Sequence, residues 1–476
     1  MGKLKYFAGN MALFTISNFV SKILVFLLVP FYTNVLSTAD YGIADVMQTT
    51  LLLLVPALTV NMGEAALRYG IDRADKRREI LKYGVKYNLR ACLFVLILCV
   101  AASLFIRPYR GYLLVFSLLF FANCFYEYLI LFFQGLEKVK IVVCGSVFST
   151  VILIASNLFW LLVVKAGLYG YLFSQIASFS MASVLMLLLA RKHASYIYEK
   201  TEGDDAFEKE LLDYGKPLIA YSTGAWINNA SDRYLVSLLC GVSVNGIYGV
   251  AYKIPSILTV FQRIFAQSFQ MSATKSYNDG DKNEFFSMMF KSYNAFMVTG
   301  CSFLILIVRF LASFMFKKDF YAAWVYVPPL VISVVFGALT GFFGSICLAN
   351  KDSKAMGKAT FTGALINVVL NLILIPKLSA MGAAIATAVS YYVMFMMAYQ
   401  VVKKYADIEH NGIKEHVTYL ILVIQAYIMI NDTGYVYPIC ILMFAAILIL
   451  YAADIMEIAK KLWLKFKQSG VKRQES

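Results

Sequence analysis

Fourteen long apolar stretches separated by short polar loops constrain this chain more than any other feature. They fall at 7–35, 43–67, 89–106, 111–134, 141–164, 168–190, 217–240, 245–270, 288–316, 324–348, 359–376, 380–402, 417–431 and 435–456. About 20 apolar residues cross a bilayer as a helix, so the expected fold is an all-α polytopic membrane protein with about 14 transmembrane helices. A soluble domain of 476 residues could not cover its surface with 15% charged residues against 60% hydrophobic ones.

The basic residues orient these spans. The chain ends, the run from Arg68 to Arg90, and the loops near 138, 200, 280, 354 and 404 share one side and carry most of the 43 Lys and Arg. The loops of the other side hold only Arg107, Arg110, Lys165, Lys317, Lys318 and Lys377. Cytoplasmic loops carry the excess of Lys and Arg, which predicts that both termini are cytoplasmic. The net charge of +15 therefore reads as topology. Spread among short loops, it leaves no basic domain for nucleic acid; the tail from Lys460 to Arg473 is expected to meet anionic membrane lipids.

Eight cysteines stand singly, and His193, His410 and His416 fall in predicted loops, so no metal site is expected. No Gly-rich phosphate loop with its Lys-Ser/Thr ending is present, and no cofactor is expected.

The chain repeats itself. Lys165 through Ser178 aligns without gaps on Lys377 through Ser390, an offset of 212, with Lys, Gly and Ser at matching steps. Tyr41-Gly42 matches Tyr248-Gly249 at 207, and Asn18 through Lys22 faces Asn228 through Asp232 at 210. These offsets predict two six-helix bundles, 1–195 and 217–402, joined by a cytoplasmic linker, 196–216. Helices 13 and 14 with the basic tail, 403–476, form an appendage. Transporters built from two related halves place substrate between them.

The segment Ser21 through Gly42, with Pro30, Leu36 and Asp40, resembles the first helix and outer loop of Wzx-type polysaccharide flippases. Asp232-Arg-Tyr-Leu-Val through Lys253 is similar to that family's second-half opening, and Gly382-Ala-Ala-Ile-Ala-Thr387 to its twelfth helix. The family belongs with multidrug exporters of the MATE type and lipid II flippases. The resemblance implies a V-shaped pair of bundles in a bacterial inner membrane. The implied substrate is an undecaprenyl-pyrophosphate-linked oligosaccharide moved from the cytoplasmic to the outer leaflet. A polysaccharide polymerase and chain-length machinery are the protein partners it suggests.

Ionisable residues inside spans are costly unless they face water or a partner. Lys22 lies near the middle of the first span with Asn18 one turn before it. The seventh span carries Asn228, Asp232 and Arg233, and the eighth Lys253 and Arg263. Glu64 and Arg68 close the second span, and Glu127 lies in the fourth. Together they suggest a hydrated cavity with an excess of cations, suited to a pyrophosphate with its sugars. In that reading Lys22, Arg233, Lys253, Arg263, Asn18 and Asn228 bind substrate, while Asp232, Glu64, Arg68 and Glu127 gate or couple an ion.

Structural alternatives stand beside these roles. Glu64 and Arg68 read equally as an i,i+4 ion pair, and Asp232 as a counter-charge to Arg233 or Lys22. Arg309 is expected to snorkel to the interface, and Lys253 either snorkels or binds. Glu127 is either a hydrogen-bonded carboxylic acid between helices or a proton carrier. Pro30, Pro56, Pro217 and Pro255 suggest kinks in the first, second, seventh and eighth helices. Tyr221 and Trp226 are candidates for sugar stacking.

Three other functions compete. A cation-coupled small-molecule exporter would want acidic and apolar pockets. A lipid II flippase suits the same cations. A membrane-embedded glycosyl or phosphoryl transferase would need a sizeable outer loop, and every loop on that face is short. The chain is expected not to be an enzyme.

Overall fold

A computed structural model describes residues 26–193, 203–276, 282–350, 353–408, 412–431 and 434–474. Among these the chain is all helical, without strands, and divides into two compact units, Met1–Ala230 and Ser231–Ser476.

The first unit holds α1 (Val29–Val35), α2 (Thr38–Leu58), α3 (Met62–Asp72), α4 (Arg77–Phe105), α5 (Arg110–Gly135), α6 (Val139–Asn157) and α7 (Gly167–His193). It also takes most of α8 (Asp205–Cys240), within which the division between units falls. The second unit continues with α9 (Val242–Ala251), α10 (Pro255–Ser276), α11 (Lys282–Leu306), α12 (Val308–Met315), α13 (Val327–Ala349) and α14 (Ser353–Leu378). It ends with α15 (Ala380–Val402), α16 (Gly412–Asn431) and α17 (Val436–Gln474).

Among the described residues ten helices are long and apolar enough to cross a membrane, or eleven when α11 and α12, bent by 64° at their junction, count as one span. The first expected span lies mostly outside the described residues. The seventh and eighth are helical as α8, α9 and α10, but polar residues in α8 and a break between α9 and α10 keep them off that count. Residues 205–216, expected as linker, are the first turns of α8.

Those first turns dock on the first unit through charge and apolar contact. Lys76 Nζ reaches Asp204 at 2.9 Å, and Lys86 Nζ reaches both oxygens of Glu208 at 2.6 and 2.8 Å. The Tyr87 hydroxyl donates to Glu208 at 2.8 Å, and Phe207 and Leu211 are buried beneath.

Local chemistry explains the quoted motif around Asp40. Ser37 Oγ accepts from the Asp40 amide at 3.1 Å while the Asp40 carboxylate accepts from the Ser37 amide at 3.4 Å, a reciprocal cap that starts α2. Pro56 lies inside α2, and the chain then breaks over Thr59–Asn61 before α3. Val60 (φ 54°) and Asn61 (φ 50°) both occupy the left-handed region, which a β-branched residue enters only at a cost of about 1–3 kcal/mol. The second unit breaks likewise between α9 and α10, next to Pro255.

Glycines permit the tightest crossings in the first unit. A Cβ on Gly135 would lie 2.5 Å from the Ala66 carbonyl oxygen, so α3 and α5 meet backbone to backbone. A Cβ on Gly215 would lie 2.1 Å from the Val60 carbonyl oxygen, so α8 rests directly on the α2–α3 break.

The aligned segments of the repeat fold alike. Gly167 (φ 53°) and Ser379 (φ 54°), 212 residues apart, both have a positive φ where the chain turns into α7 and α15. In the second unit α13 is the buried centre, with Phe269 stacked on Phe342 at 4.2 Å. Helices α16 and α17 are tied into that unit: Asn294 of α11 bonds the hydroxyls of Tyr451 at 3.0 Å and Tyr419 at 3.1 Å.

Candidate functional site

In the second unit, Asp232 is 3% exposed and accepts from the hydroxyls of Tyr248 at 2.6 Å and Tyr252 at 2.7 Å. The two hydroxyls are 3.0 Å from each other. The Arg233 guanidinium lies over the Tyr252 ring, 4.6 Å from its centre, a cation–π contact. Tyr248 and Tyr252 sit one turn apart at the end of α9 and in the break after it, so both reach the same carboxylate. These tyrosines were not among the sequence candidates. The i,i+4 spacing of two tyrosines in a predicted span was the available signal.

The first unit carries a half-open cleft of about 300 Å³. Its wall carries Gln48 and Asn61 from α2 and the break, Glu64 from α3, Asn88 from α4, and Asn123 and Glu127 from α5. Leucines, Val55 and Pro56 supply the apolar remainder, and among the described residues no Lys or Arg lines it. Several polar groups are committed elsewhere. Gln48 bonds Gln175, and Asn88 donates to the Gly84 carbonyl at 2.7 Å and accepts from Cys124. Others are not committed. Glu64, Asn123 and Glu127 make no side-chain hydrogen bond or ion pair among the described residues. Asn61, 6% exposed, accepts from Ser222 at 3.4 Å, and its Nδ2 is buried without an acceptor among the described residues.

The remaining candidates fall as follows. Lys22 and Asn18 lie outside the described residues. Lys253 is half-buried in the break before α10, and Arg263 is exposed on α10. Asn228 is buried, its Nδ2 3.5 Å from the Gly224 carbonyl. The expected Glu64–Arg68 pair is replaced by Arg68–Asp72 at 3.1 Å, because Glu64 faces the cleft while Arg68 lies exposed one turn on. Arg309 does not reach outward. It donates to the Met429 carbonyl at 2.9 Å, in the last turn of α16, and lies 4.5 Å from the centre of the Trp324 ring. A cation there offsets the negative end of the helix dipole. Trp226 spends its indole N–H on the Thr49 carbonyl at 2.7 Å, while Tyr221 is 75% exposed. Among the described residues no three His, Cys, Asp or Glu side chains gather as a metal site.

An apolar helical bundle with polar groups grouped at breaks and around a half-open cleft is the build of a membrane transporter. The sequence matches the polysaccharide biosynthesis protein family over residues 7–274, and the chain belongs to that family. Its fold is similar to the lipid II flippase MurJ in an inward closed conformation, with a TM-score of 0.69 at 18% identity, covering 95% of this chain and 99% of that one. An inward-facing multidrug resistance MATE family transporter of the MOP superfamily matches with a TM-score of 0.63 at 12% identity, over 80% and 95% of the two chains. A MOP superfamily transporter from Pyrococcus furiosus matches at 0.53 and 13%, over 83% and 93%. No curated protein sequence matches the chain.

Proposed function

We propose that this membrane flippase moves undecaprenyl-pyrophosphate-linked oligosaccharide from the cytoplasmic to the outer leaflet of a bacterial inner membrane, by alternating access, for surface polysaccharide synthesis. The observation that carries the reading is the family match across 7–274, which spans the first repeat and the charged seventh and eighth spans. Lys22, Arg233, Lys253 and Arg263 offset the pyrophosphate charge, with Asn18 and Asn228 on the sugars. Arg grips phosphate oxygens with two donors and Lys supplies a mobile charge. Asp232 couples an ion or gates, with its protonation tied to the hydroxyls of Tyr248 and Tyr252. Both termini are cytoplasmic, following the Lys and Arg asymmetry. The protein acts as a transporter and not as an enzyme, beside a polymerase and chain-length machinery.

A lipid II flippase is the second reading, favoured by the fold shared with MurJ. Liposomes containing the purified chain and a fluorescent lipid-linked glycan test both. An outer-added glycosidase reports how fast inner-leaflet glycan becomes accessible. Acceleration with the oligosaccharide, lost in Lys22→Ala and Arg233→Ala at normal protein levels, is expected. Acceleration only with lipid II would select the second reading. No acceleration with any glycan under a proton or sodium gradient would select a small-molecule exporter.

A further inference from the structure

The six Lys and Arg of the sparsely charged side form two matching sets. Arg107, Arg110 and Lys165 belong to the first unit, and Lys317, Lys318 and Lys377 to the second, at offsets of 210, 208 and 212. The internal repeat runs at 207 to 212, so the duplication carries three cations at the same two turns of each unit. Those turns precede the fourth and sixth expected spans in the first unit, and the tenth and twelfth in the second. Positive charge on this side opposes the orientation that the rest of the chain sets, so topology does not account for it.

In the first unit the two turns lie side by side. Tyr112, in the first turn of α5, stacks on Tyr169, in the first turn of α7, with ring centres 5.4 Å apart and planes 14° apart. A Cβ on Gly111 would lie 2.3 Å from the Tyr169 hydroxyl oxygen. Arg107, Arg110 and Lys165 are exposed at these turns and make no hydrogen bond or ion pair among the described residues. Lys165 has a φ of 57°, an uncommon conformation for a residue other than glycine. The unpaired amides that open α5 and α7 add positive potential here. Asp40, close enough for its charge to act on Tyr112, already accepts from the Ser37 hydroxyl at 2.7 Å and from the Ser37 amide. The second set is more engaged: Lys317 donates to the Ser313 carbonyl at 2.8 Å, and Asp319 follows Lys318.

The surroundings of the three cations select their partner. Phe105 is 86% and Val163 72% exposed, and Ile106 and Val164 are exposed beside them. Cations and tyrosines therefore stand on the border between apolar helix surface and polar turns, the level at which a bundle meets headgroups and where Tyr is enriched. A soluble anion would gain nothing from the apolar surface, and a zwitterionic headgroup brings its own cation. An anionic phospholipid uses both, its phosphate against the guanidinium and ammonium groups and its chains along the apolar side. We propose that the sparsely charged end of the first unit, with Arg107, Arg110 and Lys165 at the Tyr112–Tyr169 stack, is a binding surface for the headgroup of an anionic phospholipid. That lipid is a standing partner of the protein, distinct from its cargo.

The full chain is reconstituted in liposomes with a trace of phosphatidylglycerol or phosphatidylcholine carrying a photoreactive group near its headgroup, and adducts are mapped by peptide mass spectrometry. Phosphatidylglycerol adducts are expected in excess over phosphatidylcholine at residues 104–112 and 162–169. A basic residue near an anionic surface gives about fivefold in affinity, so Arg107→Gln, Arg110→Gln or Lys165→Gln should each lower the excess by about that factor. The three together should abolish it, while Arg110→Lys, which keeps the charge, should retain it. Adducts along Arg68–Arg90 in the same samples are the internal control and should not change. The unfolding temperature should not change either, because the three side chains are exposed and bonded to nothing among the described residues. Equal labelling by both lipids at the two turns, or an excess that survives the triple substitution, would overturn the surface. Labelling displaced by a lipid-linked pyrophosphate glycan, and not by unlabelled phosphatidylglycerol, would overturn it too and assign the rim to the cargo.

Discussion

The two units treat their carboxylates in opposite ways. In the second, Asp232 is saturated: two tyrosine hydroxyls donate to it, and one of those rings carries the Arg233 guanidinium on its face. In the first, Glu64 and Glu127 are exposed on a half-open cleft and bond to nothing among the described residues. A carboxylate within a network contributes to the fold and releases its bonds only at a cost. One exposed on an open cleft contributes little to stability and is available to a ligand.

Five substitutions or conditions probe this contrast, in falling order of effect. Asp232→Ala strands the hydroxyls of Tyr248 and Tyr252 and should destabilise the protein by about 3 kcal/mol, read as a lowered thermal unfolding temperature in detergent. An unchanged temperature would mean that Asp232 is as uncommitted as Glu127. Gly215→Ala drives a Cβ into the Val60 carbonyl and should cost about 2 kcal/mol by the same melt. Tyr248→Phe leaves Asp232 its bond from Tyr252 and should cost about 1 kcal/mol by the same melt.

The fourth concerns the docked start of α8. Hydrogen bonds from Lys86 hold the Glu208 carboxyl below its ordinary value, with Tyr87 adding to the effect and burial opposing it. A depressed folded value stabilises above the unfolded value of about 4.3 and loses that contribution as pH falls through the folded one. Amide protection of residues 205–212 should therefore hold between pH 7 and pH 5 and fall on further acidification, and Glu208→Gln should remove that step. The smallest effect belongs to Glu127→Gln. Its unfolding temperature should match the wild type, because no bond is lost. A clear loss of stability would show that Glu127 is held as firmly as Asp232.

Much of the fold was legible in the chain. Helix α15 spans Ala380–Val402, the bounds expected for the twelfth span, because an uninterrupted apolar run after a turn leaves its backbone no other way to pair in lipid. At the offset of 212 that the sequence suggested, Gly167 and Ser379 share a positive φ. The break after Pro56 was half legible: proline marked a kink, but nothing in Thr59-Val60-Asn61 announced two consecutive left-handed residues.

Partners were the least legible. The i,i+4 spacing of Glu64 and Arg68 suggested a pair, yet that spacing is shared by Arg68 and Asp72, and the helix's orientation against α5 chose the second. Arg309 looked like an interfacial anchor until the bend between α11 and α12 turned it onto the end of α16, 120 residues along the chain.

The sequence by itself determined that this is a helical membrane protein, where most of its helices run, and which residues pay a cost for being inside. Those properties depend on composition and local spacing, which a bilayer reads one helix at a time. Only the tertiary structure decided which carboxylate is spent on Tyr248 and Tyr252 and which two face an open cleft, because helix rotation and the crossings at Gly135 and Gly215 set which side chains meet.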